Sequence, residues 1–333
     1  MKFSVTRLVV LGLTVALAAC QDSSSPTDQG TPSDQITAPT FAAAKKTPLT
    51  GTPTERAAQI AQRVNQRLAA KGSKLRLTGV SFFTVGRGVP PFRSHVFARW
   101  PKRDLTYLID VSDYPPGANT AAVTTALVNG YETWDAIPRI NLNLTRVPDT
   151  QANPDVLDAI VTDNAGNCVD IVDTSSPALI SVDENGFNLA PFADIVHGGW
   201  LSSAYFEKCL GSADIIAITF TFTSGDANHD QFADIAYNEQ YGNNEWQYVT
   251  SGSQFLDQLG PFDIQSIFVH EDGHALGLDH TGGPNDNQPF KLHPNGRVFS
   301  PEAVMNPFNL GGEKRSLFPV DLASIRQLYS RSH

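Results

Sequence analysis

The amino-acid sequence predicts an α+β fold with a twisted mixed sheet, two long helices and a C-terminal helix. Two observations lead to this prediction. Apolar residues alternate with polar ones in several short segments, as in half-buried strands, and recur at helical spacing in others. A strand, a helix and a strand follow one another between residues 105 and 144, which predicts an α/β-like upper part. With 41% hydrophobic residues among 333, the chain can build an ordinary core.

The first 19 residues predict a signal peptide. Lys2 and Arg7 precede an apolar run over residues 8–19, which is too short to span a bilayer. The run ends in Leu-Ala-Ala-Cys, which resembles the lipobox of bacterial lipoproteins. This resemblance implies acylation of Cys20 and a lipid anchor in a bacterial membrane or at the cell surface. The alternative is an ordinary signal cut after an Ala-x-Ala site, which leaves the protein secreted without lipid.

Residues 20–51 predict a disordered tether. The segment is rich in Ser, Thr and Pro and has too few large apolar residues to offset the entropy lost on ordering. The net charge of −10, without a basic cluster, argues against a nucleic acid as partner. We expect a monomer.

Beyond the tether, the sequence predicts an N-terminal helical and extended region over residues 52–95 and the main domain over residues 96–333. Thr52 and Glu55 have the form of a capping box, and Gly72 ends the helix that they begin. A second helix is predicted over residues 120–135. The predicted strands cover residues 80–85, 105–111, 140–144, 157–162, 178–182, 215–222 and 232–237.

The body of the chain contains two cysteines, Cys168 and Cys209. An exported protein meets oxidising conditions, so we expect a disulfide between them that closes a loop of about 40 residues. Two free buried thiols are the alternative.

Candidate catalytic chemistry lies on a predicted helix that follows Asp263, an N-cap candidate. His270 and His274 are four residues apart and therefore project from one helical face, where two imidazoles can share one zinc ion. Glu271 points toward the same edge and could activate a zinc-bound water as general base. Gly277 allows the helix to end sharply, so that His280 becomes the third ligand.

A structural or inactive zinc site is the alternative interpretation. Structural sites usually have four protein ligands, whereas three histidines with an adjacent glutamate leave a position for water. The pattern therefore favours hydrolysis.

The pattern His-Glu-x-x-His-x-x-Gly-x-x-His over residues 270–280 is the metzincin zinc signature, and within that clan the chain resembles a matrixin, the matrix-metalloproteinase family. Thr281 follows the third histidine, as in matrixins. The segment 303–307 resembles the family's Met-turn, with Met305 as its methionine, and residues 320–329 resemble the closing helix, for which Asp321 is the predicted N-cap.

The resemblance covers residues 96–333 and is strongest over 263–329. It implies a metzincin catalytic domain with one catalytic zinc, and a polypeptide substrate that lies extended along an edge strand. It also implies that Met305 packs beneath the zinc ligands. The implied activity is a zinc metalloendopeptidase acting on extracellular or cell-surface proteins.

Three departures from the family are visible. Asp272 occupies a position that is usually apolar. We therefore expect its side chain to be exposed or to face a calcium ion instead of packing in the core. His197 resembles one ligand of the family's structural zinc, but Tyr237 stands where another histidine would be expected, so we expect no structural zinc. Residues 21–104 contain no cysteine, which excludes the family's cysteine-based latency.

A calcium site is a further prediction. Asp226, Asn228, Asp230 and Asp234 space oxygen ligands as the first part of an EF-hand loop does, although the usual glycine and the closing glutamate are missing. Matrixins bind calcium for stability, which favours this interpretation. A polar hairpin loop is the alternative.

Two functions follow from the sequence. The first is a lipid-anchored zinc endopeptidase in which Glu271 is the general base. The second is a surface binding module that keeps a metzincin fold without turnover. The presence of Glu271 favours the first.

Overall fold

The structure is a computed structural model. The predicted signal segment and Cys20 lie outside the residues that it describes. Within those residues, no helix combines the length and apolar character needed to cross a membrane. The described residues are 48–70, 72–85, 92–93, 99–111, 114, 118–149, 160–162, 168–171, 181–183, 186–188, 193–223, 229–241, 244–245, 263–281, 290–293, 296–298, 303–309 and 313–330.

The described helices have the number and order that the sequence predicts, apart from a short α-helix and the π-helical turn that follows it, which were not predicted. They are α1 (Pro53–Ala70), α2 (Thr120–Asp135), α3 (Ser203–Tyr205) with a following π-helical turn (Phe206–Leu210), α4 (Ile264–Ala275) and α5 (Pro319–Tyr329).

The strands are mostly short outside one central sheet. They are β1 (Arg76–Val85), β2 (Phe92–Arg93), β3 (Asp104–Ile109), β4 (Asn143–Arg146), β5 (Ile160–Thr162), β6 (Cys168–Ile171), β7 (Ser181–Asp183), β8 (Gly186–Asn188), β9 (Ile195–Leu201), β10 (Ile215–Thr223), β11 (Asp230–Asn238), β12 (Gln240–Tyr241), β13 (Asn244–Glu245), β14 (Phe290–His293), β15 (Gly296–Val298) and β16 (Phe308–Asn309).

Eight of these strands form one mixed sheet in the order β16-β1-β10-β11-β9-β3-β4, with β2 also paired to β1. Strands β11, β9, β3 and β4 are parallel, and β10 is antiparallel to both of its neighbours. The remaining described strands form four two-stranded hairpins. The sequence prediction of an α+β fold with a mixed sheet is therefore confirmed.

Each face of the sheet has its own apolar core. Neighbouring residues of a strand point to opposite faces, so Phe83 packs with α2, α4 and α5, whereas Phe82 packs on the other face with α1. Both phenylalanines are buried. The candidate site lies on the face that α4 covers.

Helix α1 begins as the sequence predicts. The Thr52 amide donates to Glu55 Oε2 at 2.8 Å, and the Glu55 amide donates to Thr52 Oγ1 at 3.3 Å, which makes the reciprocal capping box. The helix ends before Gly72, which adopts a φ of +74°.

The N-terminal region is part of the central sheet, because β1 pairs along β10. The boundary predicted at residue 95 therefore falls between strands of one sheet. Leu49, placed by the sequence in the tether, is buried, and its amide donates to the Cys168 carbonyl at 2.8 Å. Cys168 is disulfide-bonded to Cys209, with a Cα–Cα distance of 5.1 Å.

Two of the predicted boundaries are wrong for a reason that the structure shows. Strand β4 covers Asn143–Arg146 instead of residues 140–144. Ile140 and Leu142 are buried, which explains the alternation, but Asn141 has a φ of 53° and interrupts extended backbone. At the C-terminus, Phe318 is the N-cap of α5, so Asp321 lies inside the first turn.

Candidate metal centre

Helix α4 is defined at both ends by local contacts. Asp263 is the N-cap: its Oδ2 accepts from the Ser266 amide at 3.0 Å, and Arg315 binds the same carboxylate through two nitrogens. At the other end, the indole of Trp100 donates to the Ala275 carbonyl at 2.8 Å. The Tyr329 hydroxyl donates to the next carbonyl, also at 2.8 Å. These bonds satisfy acceptors that a helix end leaves without intrahelical partners.

The chain reverses after α4 through a Schellman turn. The Gly277 amide donates to the His274 carbonyl and the Leu278 amide to the Gly273 carbonyl, each at 2.9 Å. Gly277 has a φ of +90°, the left-handed conformation that the sequence argument required. The turn returns the chain toward the helix and brings His280 beside His274.

His270, His274 and His280 converge in a buried cluster. The Nε2 atom of His274 lies 3.1 Å from that of His270 and 3.0 Å from that of His280. The three side chains are 0%, 1% and 5% exposed. Among the described residues, they are the one group of three candidate ligands whose atoms all lie within reach of a single ion.

Hydrogen bonds orient two of the rings. His270 Nδ1 lies 2.7 Å from the Val304 carbonyl, and His274 Nδ1 lies 2.9 Å from the Leu278 carbonyl. A carbonyl only accepts, so each Nδ1 carries the proton. Burial lowers the pKa of His270 to about 3, which keeps that ring neutral.

When both rings are neutral with the proton on Nδ1, the unprotonated Nε2 atoms of His270 and His274 face each other. Lone pairs 3.1 Å apart repel each other unless a cation lies between them. Neutral imidazoles held through Nδ1 to an acceptor are the form in which histidines bind a metal. The residues present thus fit a cation that prefers nitrogen ligands.

Asp321 holds the segment on which His270 depends. Its carboxylate accepts from the amides of Val304 at 3.0 Å and Met305 at 3.2 Å, and from the Phe318 amide at 2.8 Å. The carbonyls of Val304 and Met305 in turn bind His270 Nδ1 and the Thr281 amide. One buried carboxylate on α5 therefore positions the turn that supports two sides of the histidine cluster.

Met305 lies directly beneath α4. A Cβ atom at Gly273 would collide with the Met305 sulfur and would lie 2.9 Å from Trp134 Cζ2. Gly273 is thus required because sulfur and indole pack against the helix backbone between the two ligand positions.

Glu271 is fully buried beside the histidines. Its Oε2 accepts a hydrogen bond from the Thr219 hydroxyl on β10, and its Oε1 has no hydrogen-bond partner among the described residues. Burial raises the pKa of Glu271 to about 8, and the bond from Thr219 opposes this shift. A cation at the histidine cluster would favour the carboxylate form.

Asp272 corrects the sequence expectation of an exposed or calcium-facing acid. It is 0% exposed and lies on the side of α4 that faces α2. Gly130 on α2 makes room for it, because a Cβ there would lie 2.5 Å from Asp272 Oδ2. Burial and the neighbouring Glu271 raise the pKa of Asp272, while the Tyr131 hydroxyl opposes this shift.

His197 connects Asp272 to the sheet. Its Nε2 lies 2.6 Å from the Tyr131 hydroxyl and 3.3 Å from Asp272 Oδ1, and its Nδ1 bonds the Tyr237 hydroxyl. Burial lowers the pKa of His197 to about 3, so the ring is neutral. Each nitrogen of this ring has a tyrosine hydroxyl as its partner, whereas Nε2 of His274 lies within 3.1 Å of the Nε2 atoms of His270 and His280.

The predicted calcium ligands lie only partly in the described residues, which exclude Asp226 and Asn228. Asp230 and Asp234 are buried in β11. Four residues of extended strand separate their Cα atoms by roughly 13 Å, too far for one ion to bind both carboxylates at about 2.3–2.6 Å. A calcium site that includes Asp234 together with Asp230 is therefore not supported.

Sequence analysis did not identify Thr219, nor the contacts made by Asp321 and Asp272. Thr219 had a detectable signal: it follows four consecutive apolar residues, 215–218, in a predicted strand, where a buried polar side chain needs a partner. The partners of Asp272 are 75 and 141 positions away in the sequence, and no local pattern indicates them.

The fold and site together define an α+β protein with a mixed sheet and a buried three-histidine candidate metal centre. Comparison with protein-family models and with curated proteins finds no significant match to this chain.

Proposed function

We propose that the protein is a zinc-dependent metalloendopeptidase of the metzincin type, resembling the matrixins, that hydrolyses peptide bonds of extracellular or cell-surface proteins. The observation that carries this proposal is the arrangement of His270, His274 and His280 with Glu271 at their side. Zinc suits the cluster because it accepts imidazole ligands and tolerates three protein ligands with an open position. A zinc ion there would supply Lewis acidity toward a peptide carbonyl and toward water.

The chain's own residues would supply proton transfer and orientation. Glu271 would accept a proton from the attacking water and deliver it to the leaving amine. Thr219 holds one carboxylate oxygen of Glu271, so the other oxygen, Oε1, is the one left for this transfer. The Val304 and Leu278 carbonyls keep two imidazoles in the tautomer that binds a metal.

The test compares the full chain with Glu271→Gln, a variant that keeps the size of the side chain. Both proteins are loaded with zinc, their metal content is measured, and a mixed peptide library is digested at high enzyme concentration. We expect one zinc per chain in both proteins and cleavage by the parent alone. A folded, zinc-loaded parent that cleaves no more than Glu271→Gln would contradict the proposal and favour a binding module without turnover.

We also propose export and lipid attachment through Cys20. This proposal is supported by the resemblance of residues 17–20 to a lipobox. Its test is membrane fractionation of cells expressing the parent or Cys20→Ser. A Cys20→Ser protein that stays in the membrane fraction would contradict the lipid anchor.

A further inference from the structure

We propose that β1 is an inhibitory strand: it occupies the position in the sheet through which a polypeptide would reach the metal centre, so the chain is latent while β1 stays paired with β10. This inference rests on the proposed peptidase function. It concerns the N-terminal region, which the zinc motif leaves without a role.

The register of β1 places it along the metal centre. It runs antiparallel to β10 from the pair Arg76–Thr223 to the pair Thr84–Ile215. On its other side it is parallel to β16, where Thr84 pairs with Phe308. The Thr84 amide also donates to the Pro307 carbonyl at 3.3 Å. Strand β1 thus fills the space between the strand that carries Thr219 and the segment that follows Met305.

A side chain of β1 touches a candidate zinc ligand directly. The Phe83 ring stacks on the His270 ring, with centroids 4.0 Å apart and planes inclined by 17°. Ser81, two residues earlier, is the register partner of Thr219, which binds Glu271. The strand therefore lies against one candidate ligand and is paired with the residue that binds the proposed general base.

The position that β1 fills is suited to an extended peptide. If β1 left, the backbone N–H and C=O groups of β10 that it now pairs would form an open sheet edge. An extended polypeptide binds such an edge by adding a strand, and the backbone bonds give the affinity. The same groove would also include the Pro307 carbonyl, which now accepts from Thr84. Substrate and β1 would compete for one set of partners.

The two faces of β1 offer a way to separate inhibition from folding. Phe83 faces the metal centre, whereas Phe82 is buried in the core that α1 covers. Arg76 and Thr223 are register partners at the far end of the strand pair. Opposed residues of an antiparallel pair have Cα atoms about 4.5–5.5 Å apart, within the range of a disulfide.

The experiment uses the full chain with Arg76→Cys and Thr223→Cys together, so that oxidation fixes β1 to β10 and reduction frees it. The parent under the same reductant controls for the native disulfide between Cys168 and Cys209. Phe83→Ala is the variant that loosens β1 at the metal centre, and each single cysteine variant is a control for the substitutions. Zinc content is measured in every sample.

The measurement is the affinity of a zinc-binding tripeptide hydroxamate, followed by calorimetry, together with the rate of peptide cleavage. If the open form is about 1% populated, the parent binds roughly a hundredfold more weakly than an open protein would. We expect the oxidised double-cysteine protein to bind and cleave at least about tenfold more weakly than the same protein reduced, and Phe83→Ala to exceed the parent by a similar factor.

Equal affinity and equal cleavage in the oxidised and reduced double-cysteine protein would overturn the inhibitory role while leaving the peptidase intact. Hydroxamate binding that is weaker in the oxidised than in the reduced double-cysteine protein, without peptide cleavage by any zinc-loaded variant, would instead contradict the proposed function. It would still support β1 as the strand that covers the centre. No hydroxamate binding by zinc-loaded protein in any form would overturn both.

Discussion

Helix α4 has two polar faces that are equally buried but differ in the partners of the histidine ring nitrogens that lie there. On one face, His270 and His274 turn unprotonated Nε2 atoms toward each other. On the other, Asp272 meets His197, whose two ring nitrogens bond the hydroxyls of Tyr131 and Tyr237. Converging acceptors indicate a cation site, whereas a ring whose two nitrogens each have a hydroxyl partner indicates a structural connection.

The pKa values do not make this distinction. Burial lowers the pKa of His270 and of His197 alike to about 3, although we assign a metal to one and an internal network to the other. The hydrogen-bond partners distinguish the two histidines instead, because His270 has a carbonyl at Nδ1 and a second imidazole at Nε2. Four substitutions test whether the two faces differ in this way.

The largest effect is expected for His274→Gln. Zinc that binds only the folded state stabilises the parent by about 4 kcal/mol at a free concentration a thousand times its Kd, and this gain should vanish with the ligand. Calorimetric melting with and without zinc measures it, with metal analysis alongside. An undiminished zinc-dependent shift in the variant would assign the metal to other residues.

His197→Phe should give the opposite result. The substitution keeps a ring but leaves the hydroxyls of Tyr131 and Tyr237 buried without the imidazole that they share, which we expect to cost about 2–5 kcal/mol of unfolding free energy. Zinc content should remain that of the parent. Urea denaturation and metal analysis check the two parts. Loss of zinc at unchanged stability would mean that the two faces have been assigned the wrong way round.

Asp321→Asn tests the connection from α5 to the metal face. An amide accepts fewer hydrogen bonds than a carboxylate, so the amides of Val304 and Met305 lose part of their support. Loss of a contact that positions a metal ligand typically weakens metal affinity about 10- to 100-fold. We expect the zinc affinity of Asp321→Asn to fall within that range, as measured by competition with a chelator. Asp214→Asn, at an exposed position, is the matched control and should leave the affinity unchanged.

Thr219→Val should have the smallest effect. It removes one hydrogen bond to Glu271, typically worth about 1 kcal/mol, so the cleavage rate should fall roughly fivefold without loss of zinc. Thr221→Val on the same strand is the control. A rate that is unchanged in Thr219→Val but reduced in Thr221→Val would rule out this contact as support for the general base.

Features that depend on residues close together in the chain could be predicted from the sequence. His270 and His274 share a face because of helical spacing, Gly277 ends the helix because its backbone needs a positive φ, and Thr52 and Glu55 cap α1 three residues apart. Each of these features depends on residues a few positions apart. Periodicity and cap chemistry report such distances directly.

The partners of the buried residues Asp321 and Asp272 are visible only in the tertiary structure. Asp321 was expected as an N-cap and instead binds the amides of residues 304 and 305. Asp272 was expected to be exposed or to face a calcium ion, and instead it is buried and faces α2 and β9. The sequence also did not predict that β1 lies beside His270. The order of strands in the sheet sets these contacts, and that order is established by contacts between segments far apart in the chain, which no local pattern encodes.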